Sequence, residues 1–256
     1  MNPTAFSILG IDIRWYGILI SFGILIGILI ARYTCSKRNI KFDNILDMLL
    51  ITLPLGIIGA RLYYVVFNFN EYSNNLVDIF NIRHGGLAIH GGLIFAFISA
   101  WLYSKRKKIN FLDIADVTAP SIILAQAVGR WGNFFNQEAH GGVVSYNFIK
   151  HFPKFIQSGM LIDGNYYNPT FLYESLWNFG VFIILIIILK KSKKSGVVIF
   201  SYIGLYSMGR LFVEGLRTDS LMLGSFRIAQ IMSLLGIIVA VLFLLYNYTI
   251  NKSKRD

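Results

Sequence analysis

The chain of 256 residues is 55% hydrophobic and only 14% charged, which leaves too little polar surface for a soluble domain of this length. Its net charge of +11 could suggest a nucleic-acid-binding protein, but the basic residues stand in short runs between long apolar stretches. Composition therefore favours a membrane protein and argues against a nucleic-acid partner.

Seven apolar stretches have the length of a membrane-spanning helix. Such a helix needs about 20 apolar residues, because the hydrocarbon satisfies no backbone hydrogen bonds. The fourth stretch is the weakest, since Pro120 and neighbouring polar residues interrupt it, and six spans is the main alternative. The predicted spans are residues 12–32, 45–67, 86–104, 115–134, 169–189, 196–215 and 227–247.

Positive charge indicates the orientation, because lysine and arginine are retained in cytoplasmic loops. Every second loop is basic, which puts the N-terminus outside and the C-terminus in the cytoplasm. With one span fewer, the later basic loops would lie outside. The basic residues are Arg32, Lys37, Arg38 and Lys41 after the first span, residues 105–108 after the third, Lys190, Lys191, Lys193 and Lys194 after the fifth, and Lys252, Lys254 and Arg255 in the tail.

The fold prediction is an all-α integral membrane protein with seven transmembrane helices in a single domain, residues 1–256. Two longer segments would lie outside. Residues 68–85 would form an external arm with an interfacial stretch at 76–80, and residues 135–168, rich in turn residues and aromatics, a small external cap.

Ionisable side chains within the predicted spans are informative, because they are expensive in a bilayer and usually face a cavity or the bundle interior. In this orientation they gather near the outer leaflet on six spans. Guanidinium groups bind phosphate bidentately, so the set predicts a pocket for an anionic phospholipid headgroup. Its members are Arg61, Arg130 and Arg210 with Tyr16, His90, Asn133, Glu174, Tyr206 and Glu214.

Each residue taken alone also has a structural interpretation. Arg210 and Glu214 have the spacing of a helix-stabilising ion pair, and Arg61 could extend its guanidinium group to the interface. His90 could be a packing histidine in the second of two His-Gly-Gly runs, of which the first begins at His84. The occurrence of the whole set at one depth favours a functional site.

Residues 129–141 carry the most specific motif and read GRWGNFFNQEAHG. This segment matches G-R-x-G-N-F-x-N-x-E-x-x-G, and the chain thereby resembles the bacterial prolipoprotein diacylglyceryl transferase family. Residues 14–17, 85–92, 169–174 and 206–217 extend the resemblance over nearly the whole chain. One departure is Asn168, where many relatives have histidine.

The resemblance implies that the diacylglyceryl group of phosphatidylglycerol is transferred to the lipobox cysteine of a preprolipoprotein, releasing glycerol phosphate, as the first step of lipoprotein maturation. It implies a multi-pass protein of the bacterial inner membrane, with phosphatidylglycerol, the preprolipoprotein signal peptide and the lipid bilayer as partners. His90, Arg130 and Arg210 match positions essential in the family. Substrate binding is expected of Arg130, Tyr16, Asn133, Asn136, Glu138, Gly141, Tyr206, Glu214 and Arg61, the last from its charge.

Such a reaction needs an activated thiol, because a free thiol with a pKa near about 8.5 is mostly protonated at neutral pH. His90 is the predicted base, since histidine can accept a proton near neutral pH. The alternative is that an arginine cluster lowers the pKa of the thiol. Arg130 and Arg210 would hold the phosphate and stabilise the charge it gains.

No metal or cofactor is predicted. Cys35 is the single cysteine, and the histidines and carboxylates lack the H-E-x-x-H or comparable spacing of metal ligands.

Three other classes of membrane protein are alternatives to this enzyme. A secondary transporter would place its site near the midplane between repeated halves, and no repeat is visible. A retinal-type photoreceptor would need a lysine in the last span, but residues 227–247 contain none. A lipid-binding scaffold without catalysis stays open, because it would bind phosphatidylglycerol but release no glycerol phosphate.

Overall fold

The computed structural model describes residues 1–8, 10–73, 75–82 and 85–252, with the backbone alone described at residues 11 and 250–252. His84, Lys254 and Arg255 lie outside these ranges. Helices make up most of the described chain. They are α1 (Trp15–Cys35), α2 (Phe42–Phe67), α3 (Ile89–Arg106), α4 (Phe111–Asn136), α5 (Tyr146–Ile149), α6 (Lys154–Gly159), α7 (Thr170–Lys191), α8 (Val197–Leu216) and α9 (Ile228–Lys252).

Six helices within the described ranges are long and apolar enough to cross a membrane, namely α1, α2, α4, α7, α8 and α9. The chain is therefore mostly helical and of the membrane class, as predicted. Helix α3 has 18 residues and does not reach this standard, since it includes His90, Lys105 and Arg106. The count of seven spans stays a prediction.

Pro120 does not end the fourth predicted span, because α4 runs through it from Phe111 to Asn136. Proline within a membrane helix is tolerated where neighbouring groups satisfy the backbone it disturbs. In the turn before Pro120, the Oγ1 of Thr34 donates a hydrogen bond of 2.7 Å to the Val117 carbonyl.

Short strands accompany the helices and were absent from the all-α prediction. Strands β1 (Thr4–Ile8) and β2 (Ile11–Arg14) form an antiparallel hairpin before α1. Strands β3 (Val143–Val144), β4 (Leu161–Ile162) and β5 (Asn165–Tyr167) form a sheet in the order β3-β5-β4. A last hairpin joins β6 (Met222–Leu223) to β7 (Phe226–Arg227). Strands β3 to β7 have two or three residues each, which is too short to give an alternating pattern.

The chain divides into two compact units. The large unit comprises residues 1–38 and 115–256, and the small unit comprises residues 39–114. In the large unit, α4, α7 and α8 share an apolar core that includes Ile123, Leu185 and Val198. This core holds together the helices that carry Arg130, Glu174 and Arg210.

A second apolar cluster folds the segment after α4 back onto that helix. Phe134, at the end of α4, packs with Ile149, Ile156 and Met160 of the following segment and with Phe171 of α7. A Cβ atom at Gly159 would lie 2.2 Å from the Phe134 ring, so glycine is needed for this close approach. The cluster fixes the position of the 129–141 motif at the end of α4.

A buried ion pair organises the opposite end of the same helices. Asp116 of α4 accepts hydrogen bonds of 2.9 Å from the backbone N–H groups of Gly196 and Ile199 at the start of α8. Arg38 pairs with Asp116 at 3.0 Å and also donates to the carbonyls of Ser192 and Lys194. Asp116 thus caps α8 from another helix and satisfies amides that a helix start leaves free.

In the small unit, glycines allow α2 and α3 to approach closely. A Cβ atom at Gly91 would lie 2.2 Å from the Gly59 carbonyl oxygen, and one at Gly59 would lie 2.3 Å from Phe95. The Ala88 N–H donates to the Ala60 carbonyl at 3.0 Å just before α3 begins. Small residues at such contacts are typical of membrane helix pairs.

Candidate active site

Two arginines from different helices meet at one carboxylate in the large unit. Arg130 of α4 places its Nη2 2.7 Å from Glu174 Oε1, and Arg210 of α8 places its Nη1 3.3 Å from the same oxygen. Arg210 also forms an ion pair of 2.6 Å with Glu214, one turn further along α8. We call Arg130, Glu174, Arg210 and Glu214 the arginine cluster.

The carboxylates of the cluster are buried, whereas its guanidinium groups are partly accessible. Glu174 and Glu214 are 3% and 2% exposed, but the side chains of Arg130 and Arg210 keep 21% and 18% of their surface accessible. Buried carboxylates are stable as ions only when they are paired, and both carboxylates form ion pairs with these arginines. The accessible guanidinium edges are the part of the cluster that an anionic ligand can reach.

Further basic residues lie at the end of α8. Arg217 donates two hydrogen bonds to Asp219, of 2.9 and 2.7 Å, and these bonds lower the pKa of Asp219 below its ordinary value. Arg227 donates from its Nη1 to the Glu214 carbonyl oxygen. The backbone of Arg217 pairs with Gly141, which links the end of α8 to the 129–141 motif.

The polar end of the motif forms a tight turn around Glu138. Asn133 donates to Glu138 Oε1 at 3.0 Å and Asn136 to the same oxygen at 3.4 Å. The Gly141 N–H donates to the Asn168 carbonyl at 2.9 Å, and a Cβ atom at Gly141 would lie 2.8 Å from the Asn168 side chain. Glycine is thus required at 141 because the chain passes too close for a side chain.

The two predicted tyrosines have different neighbours within the large unit. The ring of Tyr16 covers Gly132, whose Cβ atom would lie 2.5 Å from it, so this tyrosine rests on the 129–141 motif. Tyr206 stacks on Tyr202 with a centroid distance of 5.9 Å. Tyr202 in turn donates to Gln126 of α4 at 3.2 Å.

His90 belongs to the small unit, where it stands exposed in the first turn of α3. Its ring centroid lies 6.1 Å from that of Tyr63 on α2. The close contact of Gly91 with Gly59 and Tyr63 fixes the start of α3 and with it the backbone of His90.

Arg61 also belongs to the small unit, where it is buried and fully engaged. Its five N–H groups donate to backbone carbonyls of the segment between α2 and α3, at distances from 2.6 to 3.1 Å. The acceptors are the carbonyls of Asp78, Ile79, Asn81, Gly85 and Gly86. A guanidinium group has five N–H donors, so a phosphate could bind Arg61 only by replacing some of these bonds. Substrate contact by Arg61 stays a prediction.

The whole chain is similar to a family of known enzymes. The family model described as prolipoprotein diacylglyceryl transferase matches residues 3–246. The phosphatidylglycerol–prolipoprotein diacylglyceryl transferase of Clostridium botulinum strain Langeland is 58% identical over 255 residues, with both chains covered in full. The chain belongs to this family. The enzyme of the same name from Clostridium kluyveri is 58% identical over 246 residues, which is 96% of each chain.

The structure groups the residues expected of a diacylglyceryl transferase as follows. It brings Arg130 and Arg210 together, with Glu214 beside them, and it joins Asn133, Asn136 and Glu138 in one turn. It adds Glu174, which belongs to the predicted set of polar residues near the outer leaflet but is not among the expected catalytic or substrate-binding residues. The signals for Glu174 were its place in the 169–174 motif and its unpaired charge within an apolar run.

Within the described ranges, no group of three or more His, Cys, Asp or Glu side chains is arranged to hold a metal ion. The predicted independence from metals and cofactors stays a prediction.

Proposed function

We propose that the protein transfers the diacylglyceryl group of phosphatidylglycerol to the lipobox cysteine of a preprolipoprotein and releases glycerol phosphate. The observation that carries this proposal is the meeting of Arg130 and Arg210 at Glu174, in a chain whose relatives bear the name of that activity. Paired guanidinium groups suit a phosphate that gains charge during the reaction.

The reaction forms one bond and breaks one. The cysteine thiolate attacks the glycerol carbon that carries the phosphate, a carbon–sulfur bond forms, and the carbon–oxygen bond to the phosphate breaks. The electron pair of that bond leaves with glycerol phosphate, whose charge rises from −1 in the lipid to −2. A base removes the thiol proton, so charge and atoms balance without a redox or metal step.

Each predicted residue has a role in this proposal. Arg130 and Arg210 bind the phosphate and stabilise its developing charge. This stabilisation is strongest where water is excluded. Asn133, Asn136 and Glu138 bind the polar headgroup or brace the turn, and Gly141 keeps that turn closed. The remaining substrate contacts are assigned to Tyr16, Tyr206 and Arg61, and Glu214 orients Arg210.

His90 is proposed to accept the thiol proton, directly or through water. The alternative is that the field of the arginine cluster lowers the pKa of the thiol. General-base catalysis contributes about a hundredfold to ten-thousandfold in rate. Replacing a true base should therefore lower the transfer rate as much as replacing one of the two arginines.

The proposed setting is the bacterial cytoplasmic membrane. Residues 1–256 would act as one transferase domain with seven spans, an outside N-terminus and a cytoplasmic C-terminus. The segment 135–168 would form the external cap, and the site would open toward the outer leaflet, where preprolipoproteins emerge.

The test is transfer of labelled diacylglyceryl from phosphatidylglycerol to a lipobox peptide by the purified full chain. Arg130→Ala and Arg210→Ala should each lower the rate at least about a hundredfold, because each removes a donor to the leaving phosphate. His90→Ala should do the same if His90 is the base. Arg106→Ala, at the exposed end of α3, is the matched control and should leave the rate near that of the unchanged protein.

Two outcomes would contradict the proposal. Phosphatidylglycerol bound by folded protein without any transfer would support a lipid-binding scaffold instead. Normal transfer by both arginine variants would place the phosphate elsewhere in the molecule.

A further inference from the structure

Glu174 holds a central position that the proposed phosphate chemistry does not itself require. Its carboxylate is almost fully buried in the first turns of α7 and is the shared partner of Arg130 on α4 and Arg210 on α8. Two guanidinium groups brought this close repel each other, so a buried anion between them sets their separation. Glu214 differs from Glu174, because its ion pair with Arg210 lies within one helix, α8, and does not link two helices.

The charges within the arginine cluster cancel. Two positive charges on Arg130 and Arg210 stand against two negative charges on Glu174 and Glu214. The neighbouring Arg217 and Asp219 form a bidentate pair that adds no net charge. An anion that reaches the accessible guanidinium edges therefore meets two arginines whose charges the carboxylates of the cluster already balance, with Arg227 as a further cation at the Glu214 carbonyl.

This balance matters because the bound phosphate changes charge in the proposed reaction. The lipid enters with a phosphate of charge −1, and glycerol phosphate leaves with a charge of −2. Two arginines without a carboxylate would bind the product more tightly than the substrate, since attraction rises with the charge of the anion. A buried carboxylate beside both arginines opposes that retention.

We propose that Glu174 is a positioning residue that holds Arg130 and Arg210 at one spacing and, through its negative charge, promotes release of glycerol phosphate. The inference rests on the proposed function for the identity of the anion. The observation that supports the inference is that both arginines form ion pairs with the same buried carboxylate.

The test compares glycerol phosphate binding and diacylglyceryl transfer in the purified full chain and in Glu174→Gln. The amide keeps the size of the side chain but removes its charge, so binding of glycerol phosphate should tighten by about tenfold or more. The value of kcat should fall at least about tenfold, because the product is retained and the arginines are no longer aligned. A variant that lowers kcat while tightening product binding is not expected from a loss of folding.

The variant Glu174→Asp distinguishes the effect of the negative charge from the effect of side-chain length. Aspartate keeps the negative charge but is one methylene shorter, so it can contact one arginine but not both. We expect kcat to fall while the affinity for glycerol phosphate stays near that of the unchanged protein. Asp163→Asn, an exposed carboxylate-to-amide change in the turn between β4 and β5, should alter neither quantity.

Unchanged or weaker glycerol phosphate binding in Glu174→Gln would overturn the inference, even if transfer by the unchanged protein is confirmed. The failure of the proposed function can be distinguished from the failure of this inference. If the unchanged protein shows no transfer but Glu174→Gln still binds glycerol phosphate more tightly, the charge role of Glu174 stands and the proposed function fails.

Discussion

Arg61 shows how a single side chain can order a segment that has little secondary structure of its own. The described residues between α2 and α3 include two short 3-10 turns, Phe69–Glu71 and Leu76–Phe80, and five carbonyls of this segment converge on one guanidinium group. The guanidinium carbon also lies 5.0 Å from the centroid of the Tyr72 ring, a cation–π distance. Arginine suits this position because its planar fork presents all five donors at once.

We expect Arg61→Lys to destabilise the small unit. Lysine keeps the charge but has three donors in a compact group, so at least two carbonyl contacts are lost, at a cost on the order of 2–3 kcal/mol. Thermal unfolding in detergent and the rate of proteolysis within residues 75–82 measure the effect. Arg106→Lys, at the exposed end of α3, is the control. Equal proteolysis of the two variants would contradict the ordering role of Arg61.

At the scale of the element, the start of α8 depends on groups that lie far away in the chain. Its first amides bond to Asp116 of α4, and Arg38 from the turn after α1 neutralises that carboxylate. This arrangement fixes where α8 begins, and therefore which residues of α8 face α7. Arg210 reaches Glu174 because that register is set.

Asp116→Asn should lower the stability of the large unit by about 3–5 kcal/mol, because it leaves the buried Arg38 without its counter-ion. Transfer activity should fall as well, since α8 carries Arg210. Unfolding in detergent, with Asp163→Asn as an exposed control, measures the first effect. A transition temperature equal to that of the control would show that the pair does not stabilise the helix start.

At the scale of the whole molecule, the number of spans depends on α3. In the described part of the chain, six helices have the length and hydropathy of spans, and α3 is shorter and more polar at both ends. The loop charges predict that α3 crosses as well, since residues 105–108 follow it and are basic. Seven spans place the residues before and after α3 on opposite sides of the membrane.

Single-cysteine variants in a Cys35→Ala background test this topology. A membrane-impermeant maleimide added to intact cells should label Ser73→Cys, before α3, and should not label Lys105→Cys until the membrane is opened. Labelling of both positions in intact cells would mean that α3 does not cross. Cys35 itself is buried at the end of α1, so its replacement removes background without removing an exposed group.

Much of this architecture can be predicted from the sequence, because the membrane imposes simple requirements on the length and polarity of a spanning helix. A span needs a long apolar run, so the predicted boundaries of the six confirmed candidate spans agree with the helices to within a few residues. An arginine or glutamate in such a run is expensive, so Arg130, Arg210 and Glu214 are recognisable as candidates from the sequence alone. The 129–141 motif identified the family for the same chain, and the comparison with relatives confirmed it.

The pairings between these residues were decided by the tertiary structure. The sequence alone does not reveal that Glu174 faces both arginines, that Asp116 caps α8, or that Arg61 uses its donors on its own loop. Each of these contacts joins residues separated in the chain, and it depends on helix packing and register rather than on local pattern. Apolar runs and isolated charges are local properties and are determined by the sequence directly. The partner of a buried charge is determined only when the helices pack together, because a charge that is removed from water is stable only when it is paired.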